Sequence, residues 1–143
     1  MALPDPQPGL VISYAYLWHH ESERGRDEGR KDRPCVIILA AEQEDAGVRV
    51  TVVPVTHTPP ADPAQALELP PRVKQHLGLD DQPSWVVLSE GNRFLWPGYD
   101  LKPIRGAKNR FHYGFLPPSL FDRIRERFVA IWREGRSKAV GRD

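Results

Sequence analysis

The segment PCVIILAAEQEDAGVRVTVVPV, residues 34–55, holds two β-prone runs separated by a polar turn. The run from Pro34 to Ala41 is continuously apolar, which predicts a strand buried on both faces. The run from Val48 to Val55 alternates apolar and polar residues and predicts a following strand. Gly47 is expected to end the turn between them. This pair predicts the centre of a β-sheet.

Shorter β-prone segments lie on either side of this pair. The further predicted strands are Leu10 to Leu17, Ala66 to Leu69, Trp85 to Ser89 and Arg93 to Trp96. Pro71 to Leu77 predicts one or two helical turns. Fifteen prolines and eleven glycines, spread along the chain, indicate short elements joined by many turns.

One amphipathic helix is predicted near the C-terminus. Ser119 and Asp122 fit a capping box, and Gly135 is a stop signal. Its apolar stripe at helical spacing consists of Leu120, Ile124, Phe128, Ile131 and Trp132. Several short strands followed by one such helix predict a mainly β fold with a C-terminal helix, arranged as a small closed or half-open barrel.

Length and composition predict a single domain over residues 1–143, with flexible tails at 1–8 and 136–143. The longest apolar run, Val36 to Ala41, is far too short to cross a membrane. The N-terminus lacks the basic start and apolar stretch of a secretory signal, so we expect a cytoplasmic protein. A net charge of +1 argues against a surface that is positively charged throughout. RNA binding would therefore require a local basic patch. The single Cys35 is expected to be a small buried hydrophobe.

A long charged loop joins the first two predicted strands. Residues 18–33 hold five acidic and five basic residues, two histidines and no aliphatic residue. The loop is either solvated surface whose charges cancel or a functional loop, since loops of this length often are functional. Glu28 and Arg33 lie close to the buried strand that begins at Pro34. A rigid support of this kind is what a catalytic pair requires.

A second polar point, Thr56-His57, follows the strand that ends at Val55. If the two central strands form a hairpin, the start of one and the end of the other meet at the same rim. Arg33 and Thr56 would then be neighbours.

The segment 102–113 carries a local basic patch and no acidic residue. Its cations are Lys102, Arg105, Lys108 and Arg110. Basic residues followed by aromatic ones can grip a single-stranded backbone and stack bases. The alternative is an exposed loop kept in solution by its charge. A metal site is a weaker hypothesis, because His19-His20-Glu21 has no second cluster at ligand spacing, and no cofactor is expected.

The order and spacing of several motifs resemble the MazF/PemK family, the RNA-cutting toxins of bacterial toxin–antitoxin pairs. The motifs are Gly9-Leu10-Val11-Ile12, Lys31-Asp32-Arg33-Pro34-Cys35-Val36-Ile37 and Val53-Pro54-Val55-Thr56. Glu28 stands five residues before Arg33, as the family's loop glutamate does before its arginine. Glu90 on a later strand and Tyr113-Gly114 before the helix extend the likeness. One departure is Leu88-Ser89-Glu90, where some members carry Arg-x-Asp.

The resemblance implies a metal-independent endoribonuclease on a small SH3-like barrel of the CcdB/PemK type. It also implies a homodimer that holds single-stranded RNA, and a small antitoxin whose disordered tail folds into the same groove. Glu28 would be the base, Arg33 would stabilise the phosphorane, and Thr56 would bond the phosphate. Attack by the 2′-hydroxyl would leave a 2′,3′-cyclic phosphate and a 5′-hydroxyl.

The proton donor to the leaving oxygen stays open at this point. The candidates for acid–base work are His57, His19, His20 and Glu90. The residues expected to bind RNA are His57, Arg93, Lys102, Arg105, Lys108 and Arg110. The alternative function is a non-catalytic PemK/CcdB-like module, or a degenerate family member, that acts by binding protein or nucleic acid.

Overall fold

The structure is a computed structural model that describes residues 3–23, 25, 31–43, 45, 47–107, 109–135 and 138–142. The strands are β1 (Leu10–Tyr14), β2 (Arg33–Gln43), β3 (Gly47–Thr56), β4 (Ala66–Glu68), β5 (Trp85–Val87), β6 (Glu90–Leu95), β7 (His112–Phe115) and β8 (Lys138–Gly141). The helices are α1 (His19–Glu23), α2 (Pro71–Leu77) and α3 (Pro118–Arg133), with one 3-10 turn at Pro63–Gln65.

The two central strands form the antiparallel hairpin that the sequence predicts. Cys35 lies opposite Pro54, and the pairing continues to the turn at Gly47. Gly47 has a φ of +85°, a left-handed conformation that favours glycine. Val36 packs into one apolar cluster and Ile37 into another. The β2 run is therefore buried on both faces from Cys35 to Ile38, as predicted. The prediction is wrong for the end of the run, because Leu39 is 49% exposed and Ala41 is also exposed.

Antiparallel pairing dominates the sheet. Its order is β4-β5-β3-β2-β1-β7, with β6 paired to β3 and β8 paired parallel to β6. Within the residues that the structure describes, no pairing joins β7 back to β4, so the sheet is open. The fold is mainly antiparallel β with a C-terminal helix; closure into a barrel is not confirmed.

One apolar cluster combines buried residues of the sheet with Ile124 and Phe128 of α3; its members from β1, β2 and β3 include Val11, Val36 and Val53. The other cluster is built around Tyr14 and Phe94, whose rings stack with centroids 4.6 Å apart. In the described part of the chain, no helix is long and apolar enough to cross a bilayer.

The helix α3 begins differently from the prediction. Its N-cap is Pro117, without a side-chain cap, so the predicted capping role of Ser119 is wrong. Pro118 occupies the first helical position, where its fixed φ suits the helix and its missing N–H costs no hydrogen bond. Trp132, expected on the apolar stripe, is 46% exposed and stacks on Phe128.

The C-terminal segment, for which the sequence predicts a flexible tail, includes β8. The following Arg142 places one guanidinium nitrogen 2.8 Å from Asp100 Oδ2 and donates from the other to Asn92 Oδ1, also at 2.8 Å. Strand β6 begins at Glu90, three residues before the predicted start at Arg93. A Cβ on Gly91 would lie 2.9 Å from the backbone oxygen of Val52, so β6 runs against β3 at a distance that favours glycine there.

Candidate active site

A cavity of about 990 Å³ opens where β2 begins and β3 ends. Residues from both strands line it, together with the start of α1 and the turn that follows α2. The polar side chains that line it include Arg33, Thr56, His57, His20, Lys74 and Asp80. The hairpin therefore brings Arg33 and Thr56 to one rim, as its geometry predicts.

Arg33 is half-buried at the start of β2. Its guanidinium carbon lies 5.0 Å from the centroid of the Trp18 ring, and its Nη1 lies 3.5 Å from the carbonyl oxygen of Val55. Its Nε is buried, with no hydrogen-bond partner among the described residues. Burial lowers the pKa of the Arg33 guanidinium, against nearby groups that raise it. Arginine keeps its charge even so, and its fork can take the oxygens of a phosphate.

Thr56 and His57 leave the end of β3 in a tight turn. The Thr56 hydroxyl oxygen accepts a hydrogen bond from the backbone N–H of Thr58 at 3.2 Å. This bond uses the oxygen as acceptor and leaves the hydroxyl proton as a donor for a ligand. The ring of His57 lies 2.8 Å from Asp80, measured from Nε2 to Oδ2.

Asp80 is held on its other side by Lys74, whose Nζ lies 2.6 Å from Oδ1. Burial alone would raise the pKa of the Asp80 carboxyl. Hydrogen bonds from Lys74 and the Gln82 backbone, with the charges of Lys74 and His57, outweigh that effect and hold the pKa below its usual value. Asp80 is therefore a carboxylate at neutral pH, placed between a lysine and a histidine.

The other predicted acid–base residues line two adjoining cavities, and His20 lines both of them. His20 lines the Arg33 cavity, and its ring lies 6.4 Å from that of Trp18. His19 and Glu90 line a smaller neighbouring cavity of about 450 Å³. Glu90 Oε1 accepts from the Tyr16 hydroxyl at 3.0 Å and from the His19 backbone at 2.9 Å. Burial, followed by the Glu90 charge and this hydrogen bond, raises the pKa of Tyr16 well above its usual value.

Of the described residues that the sequence predicts to bind RNA, His57 and Arg105 line the Arg33 cavity. The guanidinium of Arg110 folds back onto the carbonyl oxygens of His112 and Tyr113. Lys102 donates its backbone N–H to Ser13 and does not line that cavity.

Arg93 lies on β6, with its guanidinium carbon 5.9 Å from the Trp132 ring. It does not line either of the two cavities. Glu28 and Lys108 lie outside the residues that the structure describes. Lys31 and Asp32, which follow the undescribed part of the charged loop, line the Arg33 cavity. Within the described ranges, no group of three or more histidine, cysteine or acidic residues is placed to hold a metal ion.

The chain matches no protein-family model, no curated protein and no solved structure. The MazF/PemK resemblance therefore rests on the sequence motifs alone.

Asp80 and Lys74 are the site residues that the sequence analysis missed. Both come from the segment around α2, which the sequence presents as a short polar helix followed by Gly78. A clue was the pairing of a lysine on a helix with an aspartate just beyond the glycine that ends it. Nothing in the spacing of His57 and Asp80, 23 residues apart, indicates that they meet.

Proposed function

We propose that this protein is a metal-independent endoribonuclease that cuts single-stranded RNA. The observation that carries the proposal is the guanidinium of Arg33, packed on Trp18 with a buried Nε that has no partner among the described residues. Thr56 and His57 line the same cavity. A preorganised cation beside a hydroxyl and an imidazole suits a phosphodiester whose charge increases during the reaction.

The proposed reaction begins with attack of the ribose 2′-hydroxyl on the neighbouring phosphorus. Glu28, outside the described residues, is the proposed base that takes the 2′ proton. Arg33 stabilises the phosphorane oxygens, and Thr56 donates its hydroxyl proton to one of them. The P–O5′ bond then breaks, giving a 2′,3′-cyclic phosphate and a 5′-hydroxyl. Arg33 and Thr56, which carry two of these roles, line the same cavity.

The size and lining of the cavity support a nucleic-acid substrate. Its volume of about 990 Å³ is at the upper end for ligand sites, which usually measure about 300–1,000 Å³. Arg105 at its edge adds a second cation to Arg33. Such a cavity suits a segment of RNA backbone that enters and leaves along the surface.

The wider proposals follow the MazF/PemK resemblance. The open sheet and α3 would correspond to a CcdB/PemK-type SH3-like barrel, acting in the cytoplasm as a homodimer. A small antitoxin would block it by folding a tail into the RNA groove.

A non-catalytic binding module is the second candidate, and Glu90 favours it. The acidic residue of the later strand is bonded to Tyr16 and His19 and does not line the Arg33 cavity. A module of this kind would still bind RNA through Arg33 and Arg105.

The deciding experiment incubates a long single-stranded RNA with the purified protein, with and without EDTA, and maps the ends. The proposal expects cleavage in both conditions, with 2′,3′-cyclic phosphate and 5′-hydroxyl ends. Arg33→Ala, purified in parallel, controls for contaminating nuclease. RNA binding without cleavage would support the binding module; cleavage only without EDTA would overturn the metal-independent mechanism.

A further inference from the structure

A lysine of α2 is buried at the edge of the cavity. Lys74 is only 4% exposed, and its ammonium donates to Asp80 Oδ1 at 2.6 Å, to Ser84 Oγ at 2.7 Å and to the Gln82 carbonyl. These acceptors use all three of its donors. Gly78, with a φ of +71°, ends α2 and lets the chain turn back around the ammonium. An unpaired buried ammonium would cost the fold free energy. The arrangement therefore keeps the three acceptors next to Lys74.

The partner that matters is Asp80, because its two oxygens face different groups. Oδ1 accepts from Lys74 and from the Gln82 backbone N–H at 3.1 Å, while Oδ2 faces His57 Nε2 at 2.8 Å. The carboxylate cannot rotate without losing both bonds at Oδ1. A proton on Nε2 would satisfy this contact, and Nδ1 would then be the nitrogen left to exchange a proton with a ligand.

We propose that His57 is the general acid of the cleavage, positioned by Asp80 and, through Asp80, by Lys74; this inference rests on the proposed RNA cleavage. The 2′-oxygen forms its bond to phosphorus as the P–O5′ bond breaks. The bonding pair leaves with the 5′-oxygen, which takes the Nδ1 proton of the His57 imidazolium. His57 is left neutral with its proton on Nε2, bonded to Asp80. The base that removes the 2′ proton is a separate group.

His57 fits this role better than the other histidines. His20 also lines the cavity, but its ring lies beside Trp18 and no carboxylate among the described residues bonds it. His19 lines the neighbouring cavity with Glu90. A carboxylate partner orients the ring and selects which nitrogen reacts, and among the described residues His57 is the cavity histidine that has one.

The test replaces the leaving oxygen with sulfur. A dinucleotide with a 5′-bridging sulfur loses a thiolate, whose conjugate thiol has a pKa of about 8.5, so its departure needs no acid. His57→Ala and Asp80→Asn should each lower kcat on the oxygen substrate by about 10²- to 10⁴-fold with little change in KM. On the sulfur substrate, both should cleave within a few-fold of the wild type. Loss of a structural residue or of the base would impair both substrates alike.

The matched controls are His76→Ala and Asp81→Asn. Both are exposed residues of the same region that do not line the cavity, and each is expected to cleave both substrates like the wild type. His20→Ala tests the competing acid. If His20→Ala lost cleavage of the oxygen substrate but kept cleavage of the sulfur substrate, and His57→Ala cleaved both like the wild type, the proposal would be overturned.

Asp80→Asn also has a spectroscopic signature. Because Lys74 and the Gln82 N–H require an oxygen at the Oδ1 position, the new amide would turn its NH₂ toward His57. Nε2 must then accept a hydrogen bond, and the neutral ring should move its proton to Nδ1. Nitrogen-15 spectra of the imidazole distinguish the two tautomers. An unchanged tautomer in Asp80→Asn would contradict positioning by Asp80.

The outcomes separate this inference from the proposed function. If the wild type cuts no RNA, both fail. If it cuts and His57→Ala cuts the oxygen substrate equally well, only the acid assignment fails. Asp80→Asn removes the charge partner of buried Lys74 and could destabilise the fold. The melting temperature of this variant is therefore measured beside its activity. His57, with a side chain 56% exposed, can be replaced at little cost to folding and tests the acid independently.

Discussion

The guanidinium carbon of Arg33 lies 5.0 Å from the centroid of the Trp18 ring, at the mouth of the cavity. Arg33 is fixed by the start of β2, and Trp18 lies in the segment between β1 and α1. The contact therefore joins the two ends of the charged loop. It holds the cation over an aromatic face. Because Nη1 faces the Val55 carbonyl oxygen, the remaining N–H groups are the ones that can donate to a ligand in the guanidinium plane.

Trp18→Leu should weaken RNA binding, because the guanidinium would lose its support. A cation–π contact contributes about 0.5–2 kcal/mol, which corresponds to a roughly 2- to 30-fold rise in Kd. Fluorescence anisotropy with a labelled single strand measures the change. Trp96→Leu is the matched control, since Trp96 is half-buried like Trp18, stacks on Phe94 and does not line the cavity. An equal loss in both variants would argue against a specific role for Trp18.

Glu28→Gln and Arg33→Ala should each abolish RNA cleavage if these residues are the catalytic pair. Removing one positioned charge from a transition state costs about 10²- to 10³-fold in rate. Cleavage is measured on long RNA with chelator present, beside thermal melting. The melting control matters for Arg33, whose stem is half-buried against β3. Cleavage at the wild-type rate by both variants would remove the pair from the mechanism.

The central hairpin and α3 were predictable because their apolar patterns are long enough to specify one arrangement. The run of β2 is buried on both faces from Cys35 to Ile38, and Ile124 and Phe128 on α3 are buried at helical spacing. The proximity of Arg33 to Thr56 could be predicted from the hairpin pairing alone. These features depend on local sequence and on one pairing.

The short edge elements were not predictable. Strands β7 and β8 have four residues each, and pairing with β1 and β6 holds them in place. Arg142 sits in a polar tail by sequence, yet its side chain is 2% exposed beside Asp100. The contact of Asp80 with His57 likewise depends on how α2 packs, which no local pattern encodes.

The basic patch should act mainly through Arg105. Arg105 lines the cavity, while the guanidinium of Arg110 is occupied by backbone carbonyls. Arg105→Ala should therefore lower the slope of log K against log salt by about 0.7, the value for one phosphate contact on a single strand. Arg110→Ala is the control and should change the slope less. A larger effect from Arg110 would place the RNA path along the 102–110 loop and outside the cavity.

Asp80 should make stability depend on pH in the acid range. The folded protein holds the pKa of this carboxyl below its unfolded value of about 3.9, so the unfolded chain binds the proton more tightly. The resulting stabilisation is fully present above about pH 5 and is lost as pH falls through the folded pKa. Because the side chain is 50% exposed, solvent screening limits this pH-dependent part to about 1 kcal/mol or less.

Urea unfolding of the wild type and Asp80→Asn at pH 6 and pH 3 measures this contribution. The difference in unfolding free energy between the two proteins should narrow at pH 3, because protonation removes from the wild type the charge that the variant lacks. Asp81→Asn is the matched control: Asp81 is the adjacent exposed carboxylate, and its Oδ1 accepts from the Gln82 side chain at 3.3 Å. A difference that is constant from pH 6 to pH 3 would show that the Asp80 carboxylate is not held by Lys74 in solution. It would also remove the anchor on which the orientation of His57 depends.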